Sequence, residues 1–86
     1  LIQRSKTHVT SSTTYSANDV FTVTGVDFSS KSYSDDRIDI FLEGTLLIKG
    51  VGYQLKDQES TLSTNQFKLI GSTTINNGDI VTAILF

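Results

Sequence analysis

Three sets of side chains in this 86-residue sequence have the makings of chemistry: one histidine, His8; a carboxylate group, Asp35, Asp36 and Asp39; and the tyrosines Tyr15, Tyr33 and Tyr53. A histidine beside an aspartate can activate a serine hydroxyl for acyl transfer, and serine is abundant here. No Gly-X-Ser-X-Gly stretch sets a serine on a nucleophile elbow, and His8 lies in a polar stretch, so a solvated surface histidine is expected. One histidine and no cysteine leave a structural zinc site without ligands. The aspartates lack the Asp-x-Asp-x-Asp-Gly loop that gathers oxygens around calcium. Asp35-Asp36 reads instead as a loop cap, and Asp39 as a carboxylate on the wet face of a strand. No catalytic residue, metal or cofactor is expected. Contact chemistry is left. Tyr53 is in phase with Val51 and Leu55 and reads as core, whereas Tyr33, with Asp35 and Asp36 in a serine-rich loop, is the candidate ligand contact.

The composition narrows the class. Net charge is −2 with lysine and arginine scattered singly, which excludes the basic stripe of a nucleic-acid binder. The longest apolar run, Ile80 to Phe86, is too short to cross a bilayer, and Leu1-Ile2 runs at once into Gln3, Arg4 and Ser5, unlike a signal peptide. No membrane insertion is expected. A single domain spanning residues 1–86 is the expectation, and a chain of this size buries only about 60–65% of its unfolded surface. No disulfide can supplement its core. The chain opens on Leu1 and contains no methionine, which reads as a piece of a longer protein.

Any contact residue must be positioned by strands. Thr, Val, Ile, Phe and Tyr dominate where helix formers are sparse, and these residues suit a pleated surface. Residues 1–19 are polar, a linker or an edge strand. Val20 to Thr24 alternates; residues 26–36 form a loop; Arg37 to Glu43 alternates again and reverses at Glu43-Gly44, where glycine accepts positive φ. The pair Gly50 and Gly52 predicts a bend that steers the chain from one sheet towards another. Gln66 to Ile70 is a further strand, and Asn76-Asn-Gly-Asp79 is a strong turn before the last strand, Ile80 to Phe86. The pattern predicts an all-β domain, a small antiparallel β-sandwich of about six or seven short strands. Its expected inner residues are Phe21, Val23, Ile38, Ile40, Leu42, Leu46, Ile48, Val51, Tyr53, Phe67, Leu69, Ile80 and Ile84. The last strand is apolar on both faces, so it is either a central strand covered on both sides or a subunit contact made by Val81, Ala83 and Leu85.

Ile38-Asp-Ile-Phe-Leu-Glu-Gly-Thr-Leu-Leu-Ile-Lys-Gly-Val-Gly-Tyr53, followed by Phe67-Lys-Leu69 and Gly78-Asp-Ile-Val81, resembles a β-sandwich module of bacteriophage tail-fibre and related virion proteins. In those modules a Val-Phe-Leu-Asn-Gly strand turns into Leu-Leu, then Gly, then Asp-Tyr, and a Gly-Asp-Ile-Val strand closes the unit. The resemblance covers residues 18–86, with Glu43 in place of the usual Asn and Gly52 in place of the Asp before tyrosine. It implies a non-enzymatic structural part of a virion tail, fibre or baseplate appendage. Such a part acts by packing and self-association, in a homotrimer and beside other virion proteins. The alternative is a module that binds host glycan or decorates a capsid surface through the 26–36 loop. A bacterial cell-surface adhesion repeat would share the fold class.

Overall fold

The structure, a computed structural model, describes residues 4–86. Seven strands follow in order: β1 (Ser5–Thr10), β2 (Val20–Thr22), β3 (Ile38–Leu42), β4 (Thr45–Leu47), β5 (Tyr53–Gln54), β6 (Gln66–Leu69) and β7 (Ile80–Leu85). They form two antiparallel sheets, one ordered β1-β7-β3-β4 and the other β2-β6-β5. The expected all-β sandwich is therefore present. Its core lies between the sheets, with Phe21, Tyr53, Phe67 and Leu69 from the smaller one facing Ile38, Ile40, Val81, Ala83 and Leu85 from the larger. Phe67 stands at its centre, its ring centroid 5.4 Å from Phe21 and 5.8 Å from Tyr53, the latter edge-on.

The turn between β3 and β4 sets the register of the larger sheet. Glu43 and Gly44 have φ values of +50° and +83°, the two positive angles of a type I′ turn. A two-residue loop pairs Leu42 with Thr45, Phe41 with Leu46 and Ile40 with Leu47. Partners across an antiparallel pair share a face, so Leu47 joins Ile40 inside and Leu46 joins Phe41 outside. This corrects the expected inner position of Leu46, which is 50% exposed. Ile48 and Val51, also expected inside, are 61% and 67% exposed because strand alternation stops at Ile48. There the N–H groups of Val51 and Gly52 both donate to the Ile48 carbonyl, at 3.0 and 2.8 Å, in a tight reversal. The chain leaves the larger sheet before this reversal and enters the smaller one after it, as the two glycines predicted. Gly52 is buried, and a Cβ there would come to 3.0 Å from the Thr73 hydroxyl, so any larger residue would have to push that side chain aside.

The last strand is likewise reversed from expectation. β7 is a central strand, flanked by β1 and β3, and its inner residues are Val81, Ala83 and Leu85 rather than Ile80 and Ile84. The supposed contact residues are core. Ile80 lies outside at 45% exposure, and Ile84 is buried on the outer side between its register partners Lys6 and Asp39. Of the two readings of the polar N-terminal stretch, the edge strand holds for residues 5–10, since β1 pairs along its whole length with β7. The 26–36 segment is more ordered than a loop. Asp27 caps a short 3-10 helix (Phe28–Lys31) by accepting from the Ser29 N–H at 2.9 Å, and Phe28 is fully buried.

Two aspartate turns launch β2 and β7. In Ser16–Asp19 and Asn76–Asp79 the fourth residue's carboxylate accepts from the first residue's N–H at 2.9 Å. The fourth N–H also donates back to the first carbonyl at 3.0 Å. The third residues, Asn18 and Gly78, take φ of +75° and +92°, which Asn and Gly tolerate best.

Candidate functional site

Register decides what the larger sheet presents to solvent. Read from β4 to β1, one outer row runs Leu46, Phe41, Thr82, His8. The neighbouring row runs Asp39, Ile84, Lys6, and a third pairs Ile80 with Thr10. Leu46 thus lies beside Phe41, with Ile80 and Ile84 on β7 to either side of Thr82, on a face that ordinarily carries polar residues in an antiparallel sheet. Charge is divided across it. Lys6 and His8 lie on the β1 flank, while Asp39 and Glu43 lie on the β3–β4 flank.

The side chains of this face are held in place. His8 Nδ1 is 2.8 Å from Thr82 Oγ1, which ties its ring across the strands. Glu43 grips the start of β7 twice, its N–H donating to the Ile80 carbonyl at 3.0 Å and its Oε2 accepting from the Ile80 N–H at 2.7 Å. Between them lie two depressions, one of about 460 Å³ and one of about 310 Å³, which share His8, Gly44 and Thr82 and so form one shallow trough. A mixed lining, with Phe41, Ile80 and Ile84 among polar and charged side chains, and an open shape suit contact with another macromolecular surface.

The residues singled out for chemistry are dispersed. Tyr33 is half-buried against the core at φ +55°, and its carbonyl accepts from Lys49 Nζ at 2.6 Å. The same ammonium holds Asp57 at 2.7 Å, so Lys49 staples the 26–36 segment to the polar turn after β5. Asp35 and Asp36 are exposed, and Asp36 is engaged locally, its N–H donating to Ser34 Oγ at 3.3 Å. Asp35 and Asp39 border a smaller depression with Lys49 and Tyr53. Among the described residues, no three His, Cys, Asp or Glu side chains gather closely enough to hold a metal ion. The outer face of the larger sheet was missed from sequence, although the two-residue turn carried the signal: counting outward from Glu43-Gly44 places Leu46 with Phe41.

Burial, followed by the nearby carboxylates of Asp39, Asp35 and Asp57, pushes the Tyr53 hydroxyl up to about 12 from its usual 10.0. The folded state therefore holds this proton more tightly than the unfolded chain does. That contribution to stability is complete below pH 10.0 and is lost as pH rises through about 12. Phenolate absorbance in an alkaline titration should show one late tyrosine, absent in Tyr53→Phe. Three tyrosines titrating together in the folded protein would refute the assignment.

Comparison with protein-family models, with curated proteins and with solved structures finds no match to this chain.

Proposed function

We propose that this chain is a non-enzymatic structural module that works by packing against copies of itself, in the setting of a phage tail, fibre or baseplate appendage. The observation that carries the reading is the exposed apolar side chains on the outer face of the larger sheet. Ile80 and Leu46 remain about half exposed there, on a small domain whose inner sheet faces already supply its core. Exposed apolar surface costs free energy in water, roughly 25 cal/mol per Å², and covering it with another copy recovers that cost. The virion setting rests on the resemblance of residues 38–53, 67–69 and 78–81 to modules of that kind. The 26–36 segment supports glycan capture less well, because Tyr33 packs part of its ring against the core and its backbone is tied by Lys49.

Light scattering on a sizing column, over a range of concentrations, tests the reading. The expected mass is a multiple of the 9.4 kDa chain, populated further as concentration rises. The resemblance implies three copies. A mass of one chain up to millimolar protein would overturn self-association.

A further inference from the structure

We infer that the outer face of the four-stranded sheet is a self-complementary docking surface whose occupant is a second copy of this chain, related by a two-fold axis parallel to the strands. The inference rests on the self-association proposed above and names the surface that performs it.

The argument is one of register. An axis running between β7 and β3 lays β4 of the second copy over β1, and β3 over β7, while each cross-strand row stays on itself. In the first row, Leu46 of the second copy falls on His8, and Phe41 falls on Thr82. The trough between His8, Phe41, Thr82 and Ile84 is where a projecting leucine would seat. In the next row, Asp39 of the second copy falls on Ile84 and next to Lys6. The cationic β1 flank thus meets the anionic β3 flank at both ends of the pair. An axis across the strands would instead set β1 on β1 and bring Lys6 and His8 against their own kind, which is unfavourable. Strands in the two stacked sheets remain near parallel, within the range of aligned sheet packing.

This pairing is of two copies, where the resemblance implies three, and one set of experiments separates the possibilities. Sedimentation equilibrium is run on the parent chain and on Leu46→Lys, Lys6→Glu and Asp39→Lys, with Val20→Lys on the other sheet as the control. Circular dichroism of each variant checks that the fold is retained. The expected result is a parent that pairs, with each of the three face variants weakening the pair by about tenfold or more and the control leaving it unchanged. An equimolar mixture of Lys6→Glu and Asp39→Lys chains should recover the pairing, because one cross-copy contact re-forms with its signs exchanged while the other keeps the parent's Lys6–Asp39 pairing. A parent that associates regardless of Leu46→Lys and the charge changes would overturn this face while leaving self-association standing. A three-copy mass, or a mixture that fails to recover, would overturn the two-fold register. A parent that stays single at millimolar concentration would overturn the proposed function itself.

Discussion

Replacing Phe67 with alanine is expected to remove about half of the domain's stability and to lower its melting midpoint sharply. Phe67 is fully buried and packs against the rings of Phe21 and Tyr53, so the change removes contacts from the centre of the core and leaves a cavity between the sheets. Truncations of this kind cost about 3–5 kcal/mol, and a chain of this length has about twice that in total. At a shift of about 4–8 °C per kcal/mol for a domain of this size, the midpoint should fall by roughly 12–40 °C. Thermal melts followed by circular dichroism measure it, with Phe67→Leu as a milder companion that refills most of the volume. A Phe67→Ala midpoint within a few degrees of the parent would mean that the two sheets do not share the core described.

The second large effect separates neighbouring residues of one strand. Val81→Lys should abolish folding, because it places an ammonium group in an apolar core where no counter-charge waits; such burial exceeds the few kcal/mol that most substitutions cost. Ile80→Lys, one residue earlier, should fold with nearly the parent's melting midpoint, since that side chain points to solvent beside Glu43. Amide dispersion in a proton NMR spectrum distinguishes the two at once. A folded Val81→Lys beside an unfolded Ile80→Lys would reverse the faces of β7 and remove the basis of the docking surface.

That pair also marks where reading the sequence stopped. The fold class, the strands around Phe21, Ile38 to Leu42 and Phe67 to Leu69, the Glu43-Gly44 reversal and the crossing at Gly50 and Gly52 were legible, because alternation and positive-φ residues are local signals. The facing of β7 was not. With Ile80, Ile84, Val81, Ala83 and Leu85 apolar on both sides, period two is present but unsigned. Only pairing with β1 and β3, both more than 35 residues earlier in the sequence, gives it a direction. Phe28 escaped for another reason. It sits among serines in a segment with no periodicity, and its burial depends on a 3-10 helix capped by Asp27. The docking face was missed because its residues belong to four strands and become neighbours only through register.

The pairing of β1 with β7 has a mechanical consequence. These strands are antiparallel neighbours with Ser5 opposite Leu85, so the two ends of the described chain lie at the same end of the sandwich. Tension applied through those ends would pull across the ladder and open it pair by pair, starting from Ser5 and Leu85, instead of shearing all its hydrogen bonds together. Peeling of this kind resists little force. Any polypeptide joined at both ends would enter and leave at one place, with the domain hanging to the side as a pendant. An array built from such units would carry its load through the faces between copies, with the backbone running through each unit left slack.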